Sequence, residues 1–482
     1  MATNAGAPRL QIPPADVIVI GAGVNGLAAA IVAAQAGCSV TVIEANSQVG
    51  GSCCSAPLTL QGFTHDICAA VFPLGVASPF FESLPLSKYG LEWIQPEIPL
   101  AHPLDNGAIA LRRTLEDTAS ALGADGRGWS KLFGPLVRDW HRFLRDLLAP
   151  PHIPSSPVTM ARFGWNALRS AASVARSRFR GEYARALLAG LAGHSTLPLS
   201  KLGTSAIALV LGAAANVVGW PIAKGGAQSL SNALAEHLRA LGGTIVTGCR
   251  VEALDQLPPA RAVLCDLTPR QLLRLAGERL PPAVRGAFQR YRYGMGVFKM
   301  DFALDGPIPW KHELCTRAGT LHLGGTLDEI AASERAAWSG AAAEKPFVLL
   351  GQPSVFDPSR APAGQQAVWA YCHVPHGSAE DMSERVEQQI ERFAPGFLKR
   401  ILARSIMNPR QLEEHNANLV GGDIGGGATL LSQLLMRPTR RMYSVGVSGL
   451  YLCSSSTPPG PGAHGMCGYF AAKLGLKEVF GA

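Results

Sequence analysis

The segment Asp16 to Glu44, DVIVIGAGVNGLAAAIVAAQAGCSVTVIE, constrains the chain more than any other. Val17 to Ile20 is an unbroken apolar run that stops at Gly21, as suits a strand buried on both faces of a parallel sheet. Gly21-x-Gly23-x-x-Gly26 follows. Leu27 to Ala36 then reads as a helix, rich in alanine and ending at Gly37, the residue type expected just past a helix C-terminus. A β-branched run, Val40 to Ile43, ends at Glu44. The six-residue signature therefore sits between a strand and a helix inside a βαβ unit.

Each residue type has a physical task there. Gly21 permits the tight turn, Gly23 lets the backbone approach a pyrophosphate, and Gly26 lets the helix lie close to the strand. Free N–H groups of the first helical turn face the phosphates, so Ala22 and Asn25 join the candidate set through their place in the loop. Glu44, followed by Ala45, can accept hydrogen bonds from both hydroxyls of an adenosine ribose, and its charge disfavours a 2′-phosphate. The segment predicts a dinucleotide site that rejects NADP and leaves FAD and NAD open.

At 482 residues the chain is long enough for two or three domains. Only 16% of its residues are charged, which signals extensive apolar surface. The formal charge of +8 is uneven: residues 161–185 carry six arginines against the single acid Glu182. No nucleic-acid reader motif accompanies them, so a nucleic-acid partner is not expected. Phe163, Trp165, Leu168, Val174 and Phe179 are interspersed, which suits either peripheral contact with an anionic membrane or an ordinary solvated helix with core positions.

The first fourteen residues, read as a flexible lead-in, have neither the basic nor the apolar region of a signal peptide. The most apolar segment, Ala206 to Val218, is shorter than the ~20 residues that cross a bilayer. Ten cysteines lack metal-ligand or redox spacing, and adjacent Cys53 and Cys54 are neither CxxC nor CxxxxC. Reduced thiols in a cytoplasmic protein are expected.

Beyond Glu44 the chain reads EANSQVGGSCCS, where Gly50 and Gly51 offer bare backbone N–H groups, with Ser52 next. Thr114 to Leu148 predicts a helix, broken by the prolines of 149–157, and Thr204 to Val218 predicts another. After Trp220, nucleotide-domain texture returns: a Gly225-Gly226 turn, a helix carrying Leu230, Leu234 and Leu238, a strand Thr244 to Thr247, and a buried strand in Arg261 to Asp266 followed by a helix from Thr268-Pro269. Val297 to Leu304 alternates like a strand, Phe347 to Leu350 and Ala367 to His373 supply others, and Ala379 to Phe393 is helical. The last strand, Leu450 to Cys453, leads through a Ser/Pro/Gly loop to a helix opening near Gly465. No second strand–GxGxxG–helix unit exists in the sequence, so one dinucleotide site must hold the working cofactor.

Taken together, Gly21 to Glu44, Gly50-Gly51, the KGG of 224–226, the GGDIGGG of 421–427, Met436-Arg437-Pro438 and LYLCSSSTPPGPGAHGMCG of 450–468 resemble the phytoene-desaturase-like FAD oxidoreductases. Within these the chain is most similar to the branch called pyridine nucleotide-disulfide oxidoreductase domain-containing protein 2. The resemblance implies an α/β fold: a Rossmann-type, glutathione-reductase-like FAD domain built from 15–70, 220–282 and 415–482, with an inserted α+β substrate domain and helical part from 71–219 and 283–414. It also implies a hydrophobic substrate, isoprenoid, carotenoid-like or fatty acyl, that is desaturated, saturated or isomerised. Carried onto this sequence, Gly21, Gly23, Gly26, Glu44, Gly50 and Gly51 would hold the ADP half, Val251 would lie by the adenine, and Ser455, Gly462, Gly465 and Met466 would reach the ribityl chain and flavin. The family often has arginine where Ser52 stands, and acids or glycines where Ser454 to Ser456 stand.

Hydrogen removal from an unactivated chain needs a hydride acceptor and an apolar tunnel, and no named acid or base. His464 is a catalytic candidate only as a neighbour of the flavin's N1 edge, against the plainer role of holding its loop. Asp423 reads as a turn former, and His65, Cys68, His373 and His376 as residues without a metal-binding pattern. An amine or alcohol oxidase on a related scaffold, and a flavoprotein kept for interaction, are the rival readings.

Overall fold

A computed structural model gives the structure of the chain and describes residues 10–434 and 436–481. Strand β1 (Val17–Ile20), helix α1 (Val24–Gln35) and strand β2 (Val40–Ile43) form the predicted βαβ unit. β1 lies at the centre of a five-stranded, wholly parallel sheet, in the order 450–452, 262–265, β1, β2, 244–246. Alternation explains the all-apolar run. Val17 and Val19 enter the core beneath α1, whereas Ile18 and Ile20 enter a second core with Leu272, Leu275 and Leu452. Gly37 has φ of +83°, the left-handed conformation that ends the helix.

The C-terminal helix Met466–Gly475 crosses α1 so closely that a Cβ on Gly468 would overlap the carbonyl of Asn25. Glycine is needed at that contact because two backbones touch.

A second, seven-stranded mixed sheet runs in the order 401–407, 296–304, 366–374, 348–351, 318–323, 98–104, 107–111. Its two faces differ in chemistry. Phe298, Met300, Phe302, Leu321, Leu323, Leu350, Val368, Ala370 and Cys372 point to one side, where Val386, Ile390 and Phe393 of helix Ser383–Phe393 seal them. The register sets Thr320 opposite Gly351 opposite Trp369, and His322 opposite Leu349 opposite Tyr371 opposite Lys299. The other face therefore carries His102, Thr320, His322, Trp369, Tyr371, His373, Lys299 and Asp301, and it faces the dinucleotide half of the molecule. Lys299 and Asp301 are buried there as an ion pair, beside His65.

Three expectations need correction. Thr114 to Leu148 is three helices, Leu115–Ala121, Gly126–Arg138 and Trp140–Leu147, because Gly123 turns the chain with φ of +55° and Gly126 packs against the carbonyl of Ala119. Residues 161–185 are likewise split among helices Pro157–Ala167, Ala171–Arg178 and Glu182–Gly193. The Ser170 hydroxyl caps the second, and the Asp125 carboxylate accepts the N–H groups of Arg180 and Gly181 before the third. Finally, Leu10 and Ile12 are not a loose lead-in: Leu10 donates to the carbonyl of Gln256 and Ile12 is buried. The part of that lead-in before Leu10 lies outside the described residues.

Candidate functional site

One cavity of about 470 Å³ runs between the two sheets. Its walls include Gly23, Asn25, Glu44, Ala45, Gly50, Gly51 and Ser52 at one end and Ser455 and Gly462 further along. Gly23 and Gly51 approach backbone to backbone: a Cβ on Gly51 would stand 3.3 Å from the Cα of Gly23. Gly50 and Gly51, with φ of +126° and +57°, adopt a turn open to glycine. Gly23 at the N-cap of α1 has no side chain to cap it, and of the first-turn N–H groups that of Gly26 goes to Asp266, which leaves those of Val24 and Asn25 at this end of the cavity. The Asn25 Oδ1 is buried there without a partner.

The remaining signature residues stand behind the wall. Ala22 donates its N–H to Glu44 Oε2 at 2.7 Å, and Asn46 donates to Oε1 at 2.9 Å, which fixes the carboxylate at the tip of β2. Gly21 and Gly26 hold the turn, and a Cβ on Gly26 would strike the Gly21 carbonyl. This set of donors, with an acid at the second strand and a backbone cradle, fits an adenine dinucleotide.

Four further predicted residues do not reach the cavity. Val251 packs with Leu254 and neighbouring core residues, and Arg250 lines the cavity instead. Gly465 and Met466 form the N-terminus of the last helix behind the loop. His464 is buried, its Nδ1 accepts the Met466 N–H at 3.1 Å, and burial lowers its pKa to about 4. A neutral ring pinned in this way orients the loop 460–466 and presents no proton to the cavity.

The sequence reading missed Asp266. It ends strand 262–265, sits under all three signature glycines, and accepts the Gly26 N–H at 3.0 Å. Burial raises its pKa to about 7, the Gly26 hydrogen bond opposing and Glu44 adding to the shift. Arg437, within the Met436-Arg437-Pro438 motif, is a second such residue. Its buried guanidinium donates to the carbonyls of Ser455, Gly425 and Gly427 and so ties the two loops at the far end of the cavity. Asp423 does similar work, accepting N–H groups from Gly294, Gly425 and Gly427.

Ile207, Val210 and Leu211 of helix Thr204–Val217, with Phe72 and Leu74, give the cavity an apolar side. Opposite them stand Thr320, Trp369, Tyr371 and His373 of the second sheet, with His194 and Thr196. All ten cysteines are free, and burial pushes Cys68 up to about 11 and Cys54 up to about 12. Among the described residues, no group of three or more His, Cys, Asp or Glu side chains is arranged to hold a metal.

A parallel Rossmann-type sheet carrying a glycine cradle, an acid at its second strand, and a mixed sheet closing the cavity are the parts of a dinucleotide-binding fold. The chain is similar to oxidoreductases in sequence and in fold. A family model described as NAD(P)-binding Rossmann-like domain matches residues 19–84. The "Pyridine nucleotide-disulfide oxidoreductase domain-containing protein 2" of Rattus norvegicus is 26% identical, over 99% of this chain and 96% of its own length. A neurosporene-forming phytoene desaturase of Cereibacter sphaeroides is 27% identical over 27% of this chain and 26% of its own. Among solved structures, an oxidoreductase from Methanosarcina mazei has a TM-score of 0.66 at 16% identity, covering 95% of this chain and 99% of that one. Wild-type putrescine oxidase bound to putrescine has a TM-score of 0.63 at 17% identity, covering 97% and 99%. Both share the fold.

Proposed function

We propose that the protein holds FAD along this cavity and oxidises or reduces a largely hydrophobic small molecule. The observation that carries the proposal is the cavity's continuity: the glycine cradle, the 425–426 and 455–462 loops and the apolar wall of Ile207, Val210 and Leu211 line one space. A bound flavin supplies a two-electron acceptor or donor at its N5. Gly23, Gly51 and the first turn of α1 would bind the diphosphate through backbone N–H groups, and Glu44 the ribose. Arg437 and Asp423 keep the loops around Ser455 rigid, and the apolar wall excludes water and aligns the substrate. The family resemblance favours desaturation, saturation or isomerisation of an isoprenoid, carotenoid-like or fatty acyl chain. The polar row Thr320, Tyr371 and His373 favours the second reading, an alcohol or amine oxidase. A flavoprotein retained for interaction alone has no use for such a cavity.

Membrane contact belongs to the same proposal. No helix among the described residues is long and apolar enough to cross a membrane. Of the apolar residues in 161–185, Phe163, Val174 and Phe179 are core, while Trp165 and Leu168 are exposed together with Val158 and Leu202. Arg162, Arg176 and Arg178 lie exposed on the same helices. Leu202 directly precedes the helix whose Ile207 and Val210 line the cavity, so a lipid surface at this patch would deliver apolar substrate close to the site.

The test is spectroscopic. Purified protein should be yellow and should bleach anaerobically with an isoprenoid or fatty acyl pool. A protein that stays colourless after incubation with FAD overturns the proposal.

A further inference from the structure

On the sheet wall of the cavity, His373 and Glu334 form a dyad. His373 Nδ1 lies 2.8 Å from Glu334 Oε2, and both side chains are fully buried. Glu334 comes from helix Leu327–Trp338 and His373 from strand Gln366–Val374, so two elements set the ring orientation. The opposite nitrogen, Nε2, is buried with no protein partner, and His373 lines the cavity. Thr320, two strands away on the same wall, likewise has a buried hydroxyl without a partner. Tyr371 lies between the rows of these two residues.

The flank of this wall is neutral. His194 Nε2 is 3.0 Å from His322 Nε2, and burial lowers His194 to about 3 and holds His322 well below its ordinary value. His102 is lowered to about 4 by burial. These rings carry no positive charge that would pair with an anionic headgroup. Thr196, which lines the same end, has φ of +52°, a left-handed conformation that is strained for a β-branched residue. A strained backbone and the unpaired His373 Nε2 thus stand at one end of an otherwise apolar space, with the Thr320 hydroxyl beyond Tyr371 toward the other. A pure hydrocarbon leaves every one of these groups unsatisfied.

We propose that this end is a headgroup subsite for a substrate whose apolar body terminates in a hydroxyl, bound by His373 Nε2. A hydroxyl suits the site in either protonation state: it donates to the lone pair of Nε2 when the ring is neutral and accepts from Nε2–H when it is charged. Glu334 is a positioning residue that fixes the tautomer through Nδ1. The assignment rests on the reading of the cavity as a substrate site, and it deepens that reading by naming the functional group at the substrate's end.

The experiment measures binding to the full-length protein as isolated, by quenching of the cavity tryptophans Trp220 and Trp369, with dodecan-1-ol, dodecan-2-one, dodecane and dodecylamine as probes. The alcohol should bind about tenfold or more tightly than the alkane and the amine, and more tightly than the ketone, which has no proton to give Nε2. His373→Gln should remove most of this preference, whereas Thr320→Val, far along the same wall, should leave it in place. The probe series on the wild-type protein keeps the test alive if the histidine variant fails to fold. In wild-type protein, the ¹⁵N resonance of His373 Nε2 should move with dodecan-1-ol and stay with dodecane; Glu334→Gln should shift it before any ligand is added. Equal affinity for alcohol and alkane, or tightest binding of the amine, overturns the subsite. A colourless protein that still prefers the alcohol overturns the flavin reading and leaves the subsite standing; a yellow protein without preference does the reverse.

Discussion

Gly26, the last glycine of the nucleotide signature, donates its backbone N–H to the carboxylate of Asp266, a residue 240 positions further along the chain. The contact couples the start of α1 to the end of the strand at Ala262–Cys265, and it puts a titratable group where a diphosphate would arrive.

Asp266 makes stability fall as pH rises. The folded carboxyl keeps its proton up to about pH 7, whereas the unfolded one loses it near its ordinary value of 3.8, so the native state binds more protons in between. The stabilisation is fully present below about pH 4 and is lost by about pH 7, a change on the order of a few kcal/mol. Asp266→Asn, which keeps the acceptor for Gly26, should flatten this dependence in urea unfolding between pH 5 and 8. It should also raise affinity for ADP at pH 8, where the wild-type carboxylate repels the diphosphate. An unchanged pH profile in the variant would remove Asp266 from the account.

Gly26→Ala places a methyl group on the Gly21 carbonyl, so turn and helix must separate. Loss of ADP binding together with destabilisation of about 2–4 kcal/mol is expected, read by calorimetry and denaturant melts. Gly23→Ala meets only the Asp266 carboxyl, a side chain with some freedom. It should cost less stability and a similar share of affinity.

Arg437 holds the loops at the other end of the cavity through three backbone carbonyls. Arg437→Met should orphan those carbonyls and lower stability by about 3–5 kcal/mol. Arg437→Lys should recover part of it, because one ammonium cannot match the planar fork. Limited proteolysis should report new cleavage in 425–462 for both variants.

Trp165→Ala combined with Leu168→Ser removes exposed apolar surface without entering the core. Flotation with vesicles of phosphatidylglycerol should fall several-fold, as it should for Arg162→Glu with Arg178→Glu, while the melting temperature stays within a degree or two. Unaltered flotation in both would limit this surface to solvation.

The βαβ unit was legible because its signals are local: an apolar run, three glycines, a helix and an acid lie within thirty residues. The alternation of Val297 to Leu304 likewise announced a strand with two faces. The content of those faces was not legible. Thr320, Trp369 and His373 meet the cavity through cross-strand register, and no spacing within one segment encodes that register. Asp266 read as the tail of an apolar strand, and its partner Gly26 could be known only once the two strands were parallel neighbours. The helical region 114–148 is helical as expected, and its division was hidden for a related reason. Composition favours helix throughout 114–148, but the breaks at Gly123 and Asp139 follow from how the pieces pack.

The seven-stranded sheet is dry on one side and chemically varied on the other. Every second residue of 366–374 can therefore be exchanged without disturbing the layer against helix Ser383–Phe393. Such a division lets selection rewrite what the enzyme accepts, one odd-numbered position at a time, while the even-numbered ones preserve the architecture.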